Sequence, residues 1–449
     1  MILPGNVVIC DSAPAPHRAI EPQGWIVCPA GGARRIALID RIRGFFLSLR
    51  AFERPFWTAN LSELFERIAF YGMTTILVLY LTKSRGFESS VAIVIGGYFG
   101  LLTYGLAAIS GFVADLIGYR RAMMLAYSLL AVWYFLTGQS HGFVPILGSL
   151  LLVAIGASLI KPAITGTVQK TCSEAQRPVG FSIYYMLVNV GGFIGPNLSG
   201  QVRDGIGVEA VFMFSAGAAL VALLLAAFVF REPGGARNAG PPKRFSAFLG
   251  DFLKVFANPR LVLLFLFVAG FWSMFFQFYG PLPLYFTDDL KGSSRLLGFV
   301  ISLDAAAIVC LQVFVGYLVR NLDPARAILL GVLISSAGVA LIGVVPSVAM
   351  VAAGVLVFSV GEMIYSAHFY RYLGSIAPPD QVGMYMGFAF LPIALGYFLA
   401  GLVGGPVLAF CRETLHLPQA MWFAFAGVGV VSALGLGLMA TVFRPKEPA

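Results

Sequence analysis

Charge is what this chain of 449 residues has least of. Asp, Glu, Lys and Arg together make up 11%, against about 25% in an average soluble protein. A set this sparse excludes a soluble enzyme. Cysteine is equally uninformative as chemistry: Cys10, Cys28, Cys172, Cys310 and Cys411 are scattered, with no CxxC pair and no metal spacing. Neither a disulfide framework nor a metal site is read from them. No GxxxxGK[ST] run is present, so ATP is not expected to drive the protein. No cofactor is expected, and an ion gradient, here of protons, is the remaining energy source. Residues 1–33 are rich in Pro and Gly and lack the apolar core of a cleavable signal, so they are read as a tail.

What the chain does have is apolar length. It is 59% hydrophobic, with a mean hydropathy of +0.86. The expected fold is an all-α membrane protein with twelve transmembrane helices in two six-helix bundles. Runs long enough to cross roughly 30 Å of hydrocarbon fall at 57–82, 90–114, 119–138, 143–167, 178–201 and 208–231. A second set falls at 259–287, 295–319, 325–345, 348–373, 383–410 and 420–443. The expected divisions are a tail over 1–54, a first bundle over 55–231, a linker over 232–258 and a second bundle over 259–445. The linker is polar and basic, with Pro233, Gly234, Gly235, Pro241 and Pro242 as turn signals.

The net charge of +9 is not a nucleic-acid footprint, because the basic residues cluster in alternate loops. Arg and Lys are dense before span 1, at Arg120/Arg121, at Lys170/Arg177, in the linker, at Arg320/Arg326 and at Arg444/Lys446. That asymmetry predicts a multi-pass protein of the plasma (inner) membrane with both termini cytoplasmic. Within the tail, Ile36 to Leu49 mixes apolar residues with Arg41 and Arg43. It reads either as a basic amphipathic helix on anionic lipid or as a solvated basic tail.

One stretch breaks the apolar pattern. Glu63, Glu66 and Arg67 lie inside span 1, at helical spacing that puts them on one face with Phe70. Each mid-membrane charge costs roughly 2.5–3.5 kcal/mol, so three unpaired ones would nearly erase the insertion energy of the span. They pair or line water. Lys161 in span 4, Glu362 midway along span 10 and Asp304 in span 8 are further charges in apolar runs. Lys161 lies at a depth similar to Glu66, which permits a contact with Glu66 or Glu63; Pro162 after it suggests a kinked cavity wall.

The halves echo one another: Phe56-Trp57 and Phe70-Tyr71-Gly72 match Phe271-Trp272 and Phe278-Tyr279-Gly280. A parallel six-plus-six repeat fits two bundles rocking about a central site. Together with Gly111-x-x-x-Asp115-x-x-Gly118-x-Arg120-Arg121 in the loop between spans 2 and 3, the pattern resembles the major facilitator superfamily. Within it, Glu63-x-x-Glu66-Arg67-x-x-Phe70-Tyr71-Gly72, Ile160-Lys161-Pro162 and Tyr184-Tyr185-x-x-Val188-Asn189-x-Gly191-Gly192 resemble the signatures of the proton-dependent oligopeptide transporter family.

The resemblance implies a proton-coupled symporter of small peptides or related zwitterions, working by alternating access as a monomer, and not an enzyme. It assigns proton coupling to Glu63, Glu66 and Arg67, because a cation moving toward or away from a buried carboxylate changes its proton affinity. A static salt-bridge knot is the competing reading. Substrate binding falls to Arg67, Tyr71, Lys161, Asn189, Gln277 and Glu362, with Glu362 either holding an ammonium or serving as a second proton site. Asp304 is an extra proton site or a carboxylate near the outer water boundary. Asp115, Gly118, Arg120 and Arg121 form a cytoplasmic gate. The sequence departs from the family at Phe276, where a span-7 acid is expected, and at Phe70. An alternative function is export of drugs or amphipathic metabolites, since Gly191-x-x-x-Gly195-Pro196-x-x-Ser199-Gly200 resembles the span-5 motif of drug/proton antiporters.

Overall fold

Backbone polar groups have no water to bond in hydrocarbon, so apolar runs of this length satisfy them internally as helices. The structure, a computed structural model, describes residues 52–174, 176–233, 258–376 and 388–442, with residues 49 and 250. The amphipathic segment, most of the linker and the start of the predicted eleventh span lie outside the described residues.

Among the described residues, eleven helices are long and apolar enough to cross a membrane. They are span 1 (Arg54–Ser84), span 3 (Tyr119–Gln139), span 4 (Phe143–Thr171), span 5 (Arg177–Gly205) and span 6 (Val208–Val229) in the first half. The second half holds span 7 (Pro259–Asp289), span 8 (Ser294–Val319), span 9 (Pro324–Val344), span 10 (Val348–Leu373), span 11 (Leu391–Thr414) and span 12 (Pro418–Met439). A twelfth, span 2, is the pair Ser89–Gly105 and Ile109–Ile117, bent by 47°.

Local chemistry sets the ends. Pro55, Pro178, Pro259, Pro324 and Pro392 sit in first turns, where a missing N–H has no partner to lose. The Asn258, Ser293 and Asp323 side chains accept from the first free N–H groups of spans 7, 8 and 9. Span 7, predicted as one run, is interrupted: regular helix stops at Phe276 and resumes at Pro281. Pro281 lacks the N–H that would continue the ladder. Spans 1, 6, 7 and 11 each finish in a π turn, at Tyr80–Ser84, Leu225–Val229, Tyr285–Asp289 and Phe410–Thr414.

Span 1 packs on spans 5 and 6, and span 3 on spans 4 and 6. In the second half span 9 packs on spans 10 and 12, and span 7 on spans 11 and 12. The halves meet through span 2 against span 11 and span 5 against span 8, a pairing that the six-plus-six repeat maps onto itself.

One face carries the short connections 85–88, 140–142, 206–207, 290–293, 345–347 and 415–417. The other carries 172–176, 231–233 and 320–323. Toward the short-loop face the halves are sealed backbone to backbone. A Cβ built on Gly97 would lie 2.7 Å from the Gly401 Cα, and one on Gly405 would lie 2.7 Å from the Ser90 Cα. Asn197 donates to Ser302 Oγ at 2.6 Å, and Asp204 accepts from the Arg295 N–H at 2.8 Å. Lys83 of span 1 bridges to Asp288 of span 7 at 2.8 Å, and within the second half Arg412 of span 11 holds the neighbouring Asp289 at 2.5 Å. The gap left between spans 1, 2, 7 and 11 is about 20 Å³, lined by Thr74, Phe276, Tyr279, Tyr397 and Ala400 among others. That is room for about one water. Toward the linker face, Ser182, Tyr185 and Tyr370 are exposed and Asn189 is half-buried.

Candidate functional site

Span 1 is seated by the small residues of span 5. A Cβ on Gly191 would press into Arg67 Cβ, and one on Gly195 would lie 2.6 Å from the Ile68 carbonyl oxygen. Only glycine lets the two backbones come this close. Gly192 also faces Ala305 of span 8, so this turn of span 5 touches span 1 and the opposite bundle together.

Against that surface Arg67 is 1% exposed and Glu63 and Glu66 are fully buried. The guanidinium folds back on its sequence neighbour: Arg67 Nε donates to Glu66 Oε2 at 2.5 Å, and Glu63 Oε1 lies 3.4 Å from Arg67 Nε. Neither Glu63 oxygen, nor Glu66 Oε1, has a hydrogen-bond partner. Two ionised carboxylates against one guanidinium leave one negative charge in excess, which a proton or a second cation neutralises. The Arg67 guanidinium carbon also lies 4.8 Å from the Phe70 ring centre and 5.8 Å from that of Tyr71.

The nearest second cation is Lys161. Among the described residues it forms no ion pair, so the contact with Glu66 or Glu63 that its depth permits is not made. Its ammonium instead lies 5.7 Å from the Tyr104 ring and 5.4 Å from that of Phe390, distances at which cation–π attraction operates. Tyr104, absent from the sequence-derived set, is buried next to Arg67 and stacks at 6.2 Å on Tyr397 of span 11. No pattern in span 2 marks it; it is one tyrosine in an apolar run.

Across the interface, Ser359 of span 10 donates to Asp304 of span 8 at 2.6 Å. Glu362, one turn further along span 10, is 6% exposed, and its Oε2 has no hydrogen-bond partner among the described residues. Asp304 is half-buried. Tyr71 joins the two walls, its ring 6.4 Å from that of Tyr279.

The other expected site residues divide. Asn189 faces the open side but bonds the Tyr185 carbonyl of its own helix. Gln277 is buried at the break in span 7, and its amide donates to the Ala400 carbonyl of span 11 at 3.5 Å. Phe276 stacks on Tyr397 at 3.6 Å, filling the expected acid position with an aromatic contact. In the gate loop, Gly118 takes φ +88° and Tyr119 donates across it to Asp115 at 3.0 Å. Glu232 caps the start of span 3, accepting from the Tyr119 and Arg120 N–H groups at 2.9 and 2.8 Å. Arg120 donates to the Ala227 carbonyl, and Arg121 is exposed.

A family model described as Major Facilitator Superfamily matches residues 60–401 and again 278–449. The chain belongs to the Major Facilitator Superfamily. Among curated relatives of this superfamily member, dipeptide and tripeptide permease B of Salmonella typhimurium (strain LT2) is 33% identical over 193 residues. That is 42% of this chain and 38% of the permease. Dipeptide and tripeptide permease A of Escherichia coli (strain K12) is 32% identical over 192 residues, 41% of this chain and 38% of that protein. The chain thus aligns with less than half the length of these permeases. A crystal structure of a POT family transporter with 5-aminolevulinic acid superimposes with a TM-score of 0.73 at 18% identity. It covers 89% of this chain and 100% of that one. A peptide transporter POT in complex with sulfate gives 0.72 at 19% identity, over 87% and 94% of the two chains. At these identities the structures establish the fold: two six-helix bundles of the major facilitator type.

Proposed function

We propose that this superfamily member is a proton-coupled symporter of small peptides or related zwitterionic solutes, working by alternating access. The observation that carries the reading is the division of charge across the interface. The first bundle presents Arg67 and the unpaired Lys161; the second presents Asp304 and Glu362. A zwitterion with its carboxylate toward the cations and its ammonium toward the acids would bridge the bundles and favour their closure. The carboxylates Glu63 and Glu66 share one guanidinium, and a proton at this cluster releases Arg67 for the ligand. The dipeptide and tripeptide permeases among the relatives support this substrate class. The basic linker face is taken as cytoplasmic, in the plasma (inner) membrane, which makes the present state inward-facing. The competing role of drug export drew on the glycines of span 5, but those glycines already seat spans 1 and 8.

The test is uptake of labelled dialanine by proteoliposomes under an inward proton gradient. Wild type should accumulate it and Glu66→Gln should not, while Glu66→Gln still exchanges dialanine without a gradient. Gradient-driven uptake by Glu66→Gln at the wild-type rate removes the proton role of the cluster.

A further inference from the structure

A groove of about 500 Å³ runs between spans 2 and 4, and none of the charged residues of the central site lines it. It extends from Ser90 to Leu102 along span 2 and from Phe143 to Leu151 along span 4, and Ser90 and Tyr98 bring the only polar side-chain atoms to its walls. The bend in span 2 makes the groove. Beyond the bend, Ser110 Oγ lies 2.6 Å from Ser158 Oγ, and a Cβ on Gly111 would lie 3.5 Å from the Pro162 Cβ, so that half follows span 4. Before the bend, Gly97 meets the Gly401 backbone, and the Tyr98 ring sits 5.2 Å from that of Phe398, so that half leans on span 11. A helix that changes neighbours across a 47° bend leaves room beside the neighbour it departs from.

The dimensions select an occupant. Twelve residues at about 1.5 Å each make the groove about 18 Å long, close to one leaflet of a hydrocarbon core about 30 Å thick. A volume of about 500 Å³ over that length leaves a cross-section of about 28 Å². A helix with its side chains is about 10–12 Å across and needs about three times that section, whereas a single polymethylene chain fits. The groove opens sideways to hydrocarbon, since Tyr98 is 49% and Leu151 43% exposed. Phe143, edge-on to Phe87 at 5.9 Å, marks its short-loop end. Walls this apolar give water too few partners to hold it, and an empty groove forfeits the dispersion contacts of its lining.

We propose that this groove binds one acyl chain of a phospholipid from the leaflet on the short-loop side, and that the bound chain holds span 2 against span 11. Gly97 and Gly100 meet span 11, while Val91, Ile95 and Leu102 line the groove; at about 100° per residue these two sets lie on nearly opposite sides of the helix. Opening the short-loop face parts span 2 from span 11, and the groove is the space into which span 2 then moves. A chain seated there has to leave first. The lipid site is independent of the symporter reading; the hold on span 2 rests on the alternating access within it.

The test uses the full-length protein in nanodiscs containing phosphatidylcholine with a photoreactive diazirine midway along one acyl chain. Adducts mapped by mass spectrometry should concentrate on Val94 and Tyr98 and saturate as labelled lipid is raised. Those on Val313 of span 8, 86% exposed, should rise in proportion instead. Leu147→Trp fills the groove and should abolish the adducts at Val94 and Tyr98 while leaving those at Val313; Leu151→Trp should do the same from the next turn of the wall. Adducts at Tyr98 that rise in proportion like those at Val313, or that survive both substitutions, overturn the site. Adducts lost from Tyr98 when a nanodisc holds two copies of the chain make this face an interface between copies and overturn the lipid as occupant. For the hold on span 2, stripping lipid from the protein in detergent should speed maleimide labelling of Thr74→Cys in a cysteine-free background. Restored phosphatidylcholine should slow that labelling again, but not when Leu147→Trp is added. Labelling indifferent to lipid overturns the hold.

Discussion

The seal toward the short-loop face gives a sharp prediction at Gly97. A side chain there would place Cβ 2.7 Å from the Gly401 Cα, 3.1 Å from its N and 3.2 Å from the Tyr397 carbonyl oxygen. All three are backbone atoms, which cannot swing aside as a flexible side chain would. Overpacking of this kind costs about 1–3 kcal/mol. The open arrangement of this face is free of that cost, so Gly97→Val should favour opening about 5- to 150-fold, at 1.36 kcal/mol per factor of ten. The Lys83–Asp288 bridge, with Lys83 48% exposed, belongs to a class worth about 0.2–1 kcal/mol, so Lys83→Ala should shift the balance about 1.4- to 5-fold. Gly96→Val is the control, because a Cβ at Gly96 meets nothing within 4 Å. The assay is the rate at which a water-soluble maleimide labels Thr74→Cys, a position 3% exposed beside the small gap, in a cysteine-free background. Labelling should accelerate strongly with Gly97→Val, weakly with Lys83→Ala and not at all with Gly96→Val. Equal rates for Gly97→Val and Gly96→Val would refute the claim that backbone contact holds this face shut.

Three further outcomes follow from the site and the gate. Arg67→Met strands two buried carboxylates and should lower unfolding free energy by about 3–5 kcal/mol, with most of it recovered when Glu63→Gln and Glu66→Gln are added; chemical unfolding in detergent checks this. Lys161→Gln removes a cation that has no ion pair here, so the thermal midpoint should stay level or rise, while KM for dialanine rises about 10-fold or more through loss of a charge-assisted bond. Glu232→Ala frees the Tyr119 and Arg120 N–H groups at the start of span 3 and should cost about 0.5–2 kcal/mol, read as a lower thermal midpoint.

Much of the fold was legible because hydrocarbon leaves the backbone few options, and the apolar runs announce themselves by length. The span-1 site was legible for the complementary reason: Glu63, Glu66 and Arg67 are costly where they sit. What hydropathy averages away is local geometry. Pro281 and Pro283 lie inside an apolar run, so the sequence reads span 7 as continuous, and with the break goes the direction of Gln277. The bend in span 2 near Leu106 is hidden in the same way. The sequence puts Lys161 level with Glu66, but depth does not fix rotation about the helix axis, and the lysine meets the Tyr104 and Phe390 rings rather than an acid. Tyr104 gave no warning because a tyrosine in a span signals packing as readily as function. Asp304 stood out as a charge, but the bond it accepts from Ser359 depends on how spans 8 and 10 pack.

The gap of about 20 Å³ between spans 1, 2, 7 and 11 sets what this barrier leaks. It has room for about one water, and its walls at Gly97 and Gly401 are main chain. Side-chain motion therefore cannot widen it to the size of a peptide. A solute passes only when two whole helices part, whereas water needs no such event. The closed half is a filter that is strict toward solutes and permissive toward solvent, so ligand slippage and water permeation should vary independently.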